Sequence, residues 1–186
     1  MPRDAEATRQ RLIAAATAEF AAFGIAGARV DRIATHARAN KAQIYHYFGS
    51  KAALFDAVWE AAVTQIITEA PLDVSDLPGW AADLSEVYAR HPDIARLISW
   101  QRLERASHTP LRLGSATVES YLKAITAAQA EGKVSDRFDA GVLYLLIVDL
   151  AMLWRAPSPE ILAAIKVPCA AERREIIIQA VAGLLR

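Results

Sequence analysis

The chain has 186 residues, 54% of them hydrophobic, and its 21 basic residues balance 21 acidic residues, so the net charge is zero. This composition supports a sizeable core and excludes an intrinsically disordered chain. Because glycine and proline number only eight each and alternating β-branched residues are scarce, the sequence predicts an all-α protein.

The N-terminal part of the chain carries an excess of positive charge. Its first ten residues, MPRDAEATRQ, are charged and lack the apolar segment of a secretory signal. Residues 1–51 hold eight Lys or Arg against four acidic residues, a charge of +4, and the remainder carries −4. Local charge governs binding to phosphates, so an anionic partner is expected at this end. A charge imbalance of this kind also occurs in proteins that bind no nucleic acid. The expectation of an anionic partner therefore needs support from motifs.

Four helices are predicted over the first 70 residues. A stripe of apolar residues spaced by three and four defines the first helix, which ends at Gly24. Asn40 is a good N-cap for the third helix, Gly49 ends it, and Ser50 caps the fourth. Arg38, in the turn before the third helix, occupies a position that often needs a positive φ. The helices span 8–23, 30–37, 40–48 and 51–70, and the first three bury Leu12, Ala16, Phe20, Phe23, Val30, Ile33, Ala34, Ala37, Ile44 and Phe48.

Five more helices are predicted after a loop at 71–79, with loops at 107–114 and 156–168. The most apolar run, 142–154, contains Asp149 and is too short to span a bilayer, so no membrane contact is expected. The last two helices are apolar over more than one stripe and need cover on both sides. A second copy of the chain or a monomer's own core would provide it. These five helices span 80–90, 92–106, 115–131, 138–155 and 170–185.

The third helix is predicted to turn polar and aromatic side chains away from the core. Advancing 100° per residue places Ile44 and Phe48 together on the buried side. A solvated helix face normally carries Glu and Lys, whereas this face carries phenol, imidazole and amide groups. The residues that lie outward or on its flanks are Lys41, Ala42, Gln43, Tyr45, His46 and Tyr47.

This face has the chemistry of a helix that reads a DNA major groove. Gln43 is able to pair with adenine, and Ala42 permits close approach to a thymine methyl group. Hydroxyl and cationic groups at the flanks suit phosphate oxygens, and Arg29 and Arg32 of the preceding helix would cross the backbone. The alternative is that the tyrosines pack with wet hydroxyls and that His46 is an ordinary surface residue. The predicted DNA contacts are Arg29, Lys41, Ala42, Gln43, Tyr45, His46, Tyr47 and Lys51.

Residues 8–55 resemble the N-terminal domain of the TetR family of bacterial transcriptional regulators. The motif IYHYFGSKAALF at 44–55 carries most of the resemblance. It implies that its two tyrosines and Lys51 hold phosphates, and that the first three residues of the third helix approach bases. The expected fold is therefore all-α with about nine helices: a helix-turn-helix DNA-binding domain over 1–50, then a larger ligand-binding and dimerisation domain over 51–186.

The later helices are similar to the C-terminal domain of the same family. The resemblance implies a small-molecule effector bound among helices four to eight and a homodimer formed through the last two helices. Asp149 lies in a very apolar stretch and needs a partner. Each candidate aromatic residue has an alternative role as ordinary core. The candidate effector contacts are Trp59, Trp80, Trp100, Tyr121, Asp149 and Trp154.

The sequence patterns leave three hypotheses for the function of the protein. The leading hypothesis is a homodimeric repressor that an effector releases from a palindromic operator in double-stranded DNA. The second is an enzyme, for which the sequence has no nucleophile elbow, phosphate loop or metalloprotease motif, and no cofactor or metal is expected. The third is a DNA-binding dimer without an effector. The single cysteine, Cys169, forms no internal disulfide, and a cytoplasmic location is expected.

Overall fold

The computed structural model of the protein describes residues 2–105, 112–155 and 157–186, which are helical with no strand among them. The all-α prediction is therefore confirmed. By its contacts the chain forms two compact units, one of residues 1–64 and 93–111 and the other of residues 65–92 and 112–186. The helices are α1 Pro2–Gly27, α2 Val30–His36, α3 Lys41–Phe48, α4 Lys51–Glu69, α5 Leu77–Arg90, α6 Pro92–Arg105, α7 Arg112–Ala130, α8 Ala140–Ala151, α9 Pro159–Ala164 and α10 Ala170–Leu184.

The first unit is built on α1, which packs on α2, while α2 packs on α3. Each fully buried Leu, Ile or Phe side chain stabilises such a core by about 1.5–3 kcal/mol. The ring of Phe20 meets that of Phe55 edge to face, with centroids 5.2 Å apart. One predicted core position is wrong, because Phe23 is 49% exposed and lies under the guanidinium of Arg32. The completely buried residues of α1 to α4 are Leu12, Ala16, Phe20, Ile33, Ile44, Leu54 and Phe55.

The end of α1 is fixed by a glycine and by α6. Gly24 has φ +73° and ψ 178°, so the regular α-helix is interrupted there, as predicted. The side chains of Trp100 and Glu104 press against it, and a Cβ at this position would meet both. The backbone oxygen of Ala21 accepts hydrogen bonds from Arg96 Nε at 2.6 Å and from Trp100 Nε1 at 3.1 Å. Thus α6 belongs to the first unit.

The turns around α3 follow the predicted local chemistry. Arg38 has φ +52°, a conformation that costs an L-residue about 1 kcal/mol. The Asn40 side chain accepts a hydrogen bond at the start of α3, and Gly49, with φ +77°, ends the helix. The Ser50 hydroxyl accepts from the Ala53 N–H at 3.0 Å and so caps α4. These four residues set the direction in which α3 leaves α2 and enters α4.

The second unit is centred on α5, which packs on α8 and α10, while α7 packs on α8. The prediction of about nine helices missed α9, inside the segment 156–168 that was expected to be a loop. Ser158 caps this helix by accepting from the Ile161 N–H. The loop predicted over 107–114 lies mostly outside the described residues, and its end, 112–114, belongs to α7. The core side chains include Leu77, Trp80, Leu84, Val87, Leu143, Ile147, Ile177 and Val181.

The second unit also exposes apolar side chains on α8. Leu143 and Ile147 are buried, whereas Val142 is 48% and Leu145 is 54% exposed. This pattern agrees with the prediction of more than one apolar stripe. Within the described ranges, every helix falls short of the length and apolarity needed to cross a bilayer.

Gly24→Ala is expected to destabilise the protein by about 2–4 kcal/mol, because left-handed strain adds to overpacking against Trp100. Gly132→Ala is the matched control, since Gly132 has φ +68° but no atom close to its Cβ position. Its expected cost is the strain alone, about 1–2 kcal/mol. Urea denaturation of both variants measures the difference. Equal losses would show that α6 does not crowd Gly24.

Candidate nucleic-acid interface

The outward face of α3 is formed by small, amide and aromatic side chains. Ile44 is completely buried and anchors the helix, as the 100° spacing predicts, while Phe48 is only half-buried. On the opposite side Ala42, Tyr45 and His46 are exposed. These side chains are therefore accessible to a partner.

The start of α3 is held by a capping box that includes one of the predicted base-reading residues. Asn40 Oδ1 accepts from the Gln43 N–H at 2.9 Å, and Gln43 Oε1 accepts from the Asn40 N–H at 3.0 Å. This reciprocal pair satisfies two backbone donors at the helix start. A bidentate contact with adenine needs both the oxygen and the NH₂ of Gln43. An amide oxygen has two lone pairs, so the capping bond to Asn40 does not exclude a contact with adenine. The two contacts do require one orientation of the Gln43 side chain that suits both.

Two lysines near α3 already bond to the protein. Lys41 Nζ lies 3.1 Å from Asp31 Oδ1 on α2. Lys51 Nζ donates to the backbone oxygens of Ala26 at 3.1 Å and Ala28 at 2.9 Å, so it holds the connection between α1 and α2. An ammonium has three donors, which leaves each lysine at least one for a phosphate. Sequence patterns gave no sign of these bonds, because they join residues up to 25 positions apart.

The remaining predicted contacts lie at the two sides of α3. Tyr47 is half-buried, with its ring between those of His46, at 5.4 Å, and Phe48, at 6.3 Å. Tyr45 is 45% exposed. Arg29 is exposed at the N-cap of α2, where its side chain makes no capping hydrogen bond. The structure thus brings the predicted DNA-contact residues to one region of the first unit.

A buried carboxylate fixes α2, and sequence reasoning missed it. Glu19 is 3% exposed. Its Oε1 accepts from the Arg29 N–H at 2.8 Å and from Arg32 Nε at 2.7 Å, and Arg32 Nη2 lies 2.6 Å away. The carboxylate therefore satisfies the backbone N–H of Arg29, the N-cap residue of α2, which itself makes no side-chain capping hydrogen bond. Arg32, whose helix was expected to cross the DNA backbone, binds Glu19 through Nε and Nη2, and the contact of this helix with DNA stays a prediction.

The ionisation of Glu19 follows from these partners. Burial raises the pKa of its carboxyl group, but hydrogen bonds from Arg32 and from the Arg29 backbone, with the charge of Arg32, outweigh burial and lower the pKa below 4.5. A lowered pKa in the folded state means that Glu19 contributes stability above its unfolded pKa. That contribution is lost as the pH falls through the folded pKa.

The predicted effector residues do not all belong to one unit. Trp59 stacks on Phe55, with centroids 6.5 Å apart, and Trp100 bonds to α1, so both lie in the first unit. In the second unit, Trp80 is buried and meets the ring of Tyr121 at 5.9 Å. The pocket predicted around all six residues therefore stays a prediction.

The core of the second unit holds an aromatic cluster of Trp80, Tyr121 and Tyr144. Tyr144, which was not predicted, stacks on Trp80 at 6.2 Å. Trp80 Nε1 donates to the Ala70 backbone oxygen at 3.1 Å. Burial raises the pKa of the Tyr121 hydroxyl, and a backbone hydrogen bond with Leu72 opposes that shift. The cluster is therefore packed and partly hydrogen-bonded.

The other two predicted effector residues lie on α8 and just beyond it. Asp149 is on the exposed face of α8. Trp154 is half-buried, with the Arg173 guanidinium 5.4 Å from its ring centroid. No group of three or more His, Cys, Asp or Glu suited to a metal occurs in the part of the chain that the structure describes.

The short helices α2 and α3 are joined by a tight turn, and the outward face of α3 carries small, amide and phenol groups. This arrangement defines a helix-turn-helix DNA-binding protein. Residues 12–58 match the family described as bacterial regulatory proteins, tetR family. Residues 76–182 match the family described as tetracyclin repressor-like, C-terminal domain. The chain belongs to the TetR family and is a DNA-binding transcriptional regulator.

Similar proteins agree with this assignment. The chain is 39% identical over 161 residues to the HTH-type transcriptional repressor SCO4008 of Streptomyces coelicolor, which covers 85% of this chain and 83% of the relative. It is 31% identical over 166 residues to the HTH-type transcriptional repressor NicS of Pseudomonas putida, covering 83% and 78%. The crystal structure of SCO4942 from Streptomyces coelicolor superposes with a TM-score of 0.83, at 43% identity, covering 95% of this chain and 97% of that one. Regulators of this family bind DNA and act as dimers.

Glu19→Gln is expected to lower the free energy of unfolding at pH 7 by about 1–3 kcal/mol, because Arg32 loses its charged partner while the Arg29 N–H keeps an acceptor. The loss should shrink as the pH falls from 4.5, where the unfolded chain binds a proton, and vanish below the lower pKa of the folded state, where the folded carboxyl group is protonated too. Urea denaturation across this pH range measures it.

Glu119→Gln is the control for this pair, since Glu119 forms an exposed ion pair with Lys123 on one helix. Its expected cost is below about 0.5 kcal/mol. A Glu19→Gln variant as stable as this control would show that the buried pair does not hold α2.

Proposed function

We propose that the protein is a homodimeric repressor that binds a palindromic operator through α3 and that a small-molecule effector releases. The observation that carries the proposal is the exposed face of Ala42, Tyr45 and His46 on a helix whose opposite side is anchored by buried Ile44. The relatives SCO4008 and NicS are named as transcriptional repressors, which supports repression over activation.

The division of labour on α3 follows from reach and charge. Ala42 and Gln43 lie in its first turn, the part of a recognition helix that approaches base edges. Tyr45, Tyr47 and Lys51 supply hydroxyl and ammonium donors for phosphates. Arg29 at the N-cap of α2 is a further phosphate donor. His46 and Lys41 complete the proposed contact set.

Dimerisation is proposed through α8 and α10, the last two long helices. The exposed faces of these helices carry Val142, Leu145 and Ile176, which are 48%, 54% and 38% exposed. Apolar side chains of this kind gain stability when a second copy covers them. A two-fold dimer would present two copies of α3 to the two halves of a palindrome.

The proposed effector site lies in the larger helical domain, residues 51–186. Trp80 and Tyr121 form the part of the predicted aromatic set that packs together, and Trp59, Trp100, Asp149 and Trp154 are the remaining candidates. Helix α4 starts at Lys51, next to α3, and ends at Glu69 in the second unit. A change in effector occupancy would shift α3 through this helix.

Gln43→Glu tests base reading without removing the capping box, because a glutamate carboxylate also accepts from the Asn40 N–H. The variant loses the amide donor for adenine and gains a charge that phosphates repel. We expect about tenfold or greater loss of affinity for a duplex selected from a random-sequence pool with the wild-type protein, and a changed preference at one base pair. Fluorescence anisotropy with that duplex and its single-base variants measures both.

Gln101→Glu, on α6 of the same unit, is the charge-matched control and should bind like wild type. Tyr45→Phe should weaken binding to all duplexes alike, since a phosphate contact carries no sequence information. An unchanged base preference in Gln43→Glu would contradict the assignment of base reading to this residue.

Leu145→Glu is expected to convert the dimer to a monomer and to weaken operator binding, because it places a charge in the proposed apolar interface. Leu103→Glu is the control, since Leu103 on α6 is 75% exposed outside that interface. Sedimentation velocity at several protein concentrations measures the mass. A dimeric Leu145→Glu protein would place the interface elsewhere.

A further inference from the structure

A small cavity lies in the second unit, between α5, the residues that follow α8, and the first turns of α10. Its volume is about 80 Å³. The polar and charged residues of its lining include Trp154, Arg155, Arg173, Arg174 and Glu86. One buried water needs about 10–15 Å³, and a drug-sized ligand occupies about 300–1,000 Å³. The cavity therefore has room for a small polar group.

Two buried donors of this region lack a hydrogen-bond partner among the described residues. They are Trp154 Nε1 and Arg155 Nε. An indole N–H and a guanidinium only donate, so each needs an acceptor. Native proteins seldom leave such groups unsatisfied, and an unseen water or ion is a common explanation where they do. A ligand that satisfies both donors would therefore have to supply acceptor atoms.

The side chains around the cavity also leave positive charge without a negative partner. Arg174 is neutralised, because its Nη1 lies 2.8 Å from both Asp83 Oδ1 and Glu86 Oε1. Arg173 donates from Nε to the Pro168 backbone oxygen at 2.9 Å and lies over the Trp154 ring. Neither contact of Arg173 supplies a negative charge.

Arg155 adds a second uncompensated charge. Among the described residues, its Nη1 donates to the Tyr88 backbone oxygen at a long 3.4 Å. Burial and the neighbouring charge of Arg173 lower the pKa of Arg155, which shows that its charged form is poorly stabilised. Neither Arg155 nor Arg173 has a carboxylate partner in the described parts of the chain. Two guanidinium groups therefore line a small cavity without a carboxylate partner among the described residues.

We propose that this cavity binds a small oxyanion, the carboxylate or phosphate group of a ligand. Guanidinium groups match both anions, because their planar N–H donors bond two oxygens at once. The indole N–H of Trp154 would add a third donor. Trp154 belongs both to this cavity and to the proposed effector set. Anion binding here does not depend on operator binding, so an experiment can refute one proposal without refuting the other.

The first experiment follows the indole N–H signals of ¹⁵N-labelled protein by NMR during titration with sodium phosphate and, separately, sodium benzoate. Sodium chloride at equal ionic strength is the reference. One of the four tryptophan signals, identified by its absence in Trp154→Phe, should move and saturate with phosphate, benzoate or both. The arm that saturates identifies phosphate or carboxylate as the preferred group. Movement equal to that in chloride would overturn the proposal.

Variants separate the site from general charge. Arg155→Gln and Arg173→Gln should each weaken the titrated affinity about tenfold or more. Lys133→Gln removes one positive charge from a surface ion pair of the same unit and should leave it unchanged. Equal weakening in all three would contradict a specific site.

Trp154→Phe gives a second, independent measurement. It removes the donor but keeps an apolar ring beneath Arg173, so anion affinity should fall. Added phosphate or benzoate should therefore raise the melting temperature of the variant less than that of wild type. An equal rise would contradict the assignment of Trp154 Nε1 as an anion donor. If the Trp154 indole signal moves on dilution to monomer but moves with neither anion, the donors bond to a second copy of the chain. That result would refute the proposal.

Discussion

The buried carboxylate of Glu19 is the constraint on which the DNA-binding unit depends. Burial opposes a charged carboxylate, and the Arg29 N–H and the Arg32 guanidinium stabilise the charged form. In return, Glu19 sets the first turn of α2, which carries no hydroxyl cap. Because α2 packs on α3, this one pair links the position of α1 to the face that α3 presents. The pair also withdraws one positive charge from the surface available to DNA.

The polar residues of the interface hold the free protein together before any DNA arrives. Gln43 closes the capping box of α3, and Lys51 ties the backbone between α1 and α2. Such preorganisation lowers the entropy that binding must offset, because the side chains and the helix start are already ordered. It also means that truncating these residues disturbs the helices as well as the contacts. Substitutions that keep the internal bond separate the two effects.

Local features of the fold could be predicted, and long-range pairings could not. The burial of Ile44 and the cap at Asn40 follow from helix periodicity and from side-chain chemistry within a few residues. Glu19 lies beside the apolar stripe of α1, but its partners are ten and thirteen positions away, so no periodic pattern reveals them. Phe23 contacts the Arg32 guanidinium at the surface and does not enter the core, and Trp100 joins the first unit because its indole bonds to α1. These outcomes depend on tertiary contacts that periodicity does not describe.

The most direct measurement of the central claim, that the outward face of α3 contacts nucleotides, is chemical footprinting of the intact protein. Lysine acetylation and tyrosine nitration are quantified by mass spectrometry with and without duplex DNA selected from a random pool. DNA is expected to protect Lys41 and Tyr45, while exposed Lys123 and Lys133 of the second unit keep their reactivity. Undiminished reactivity of Lys41 and Tyr45 in the bound protein would contradict it.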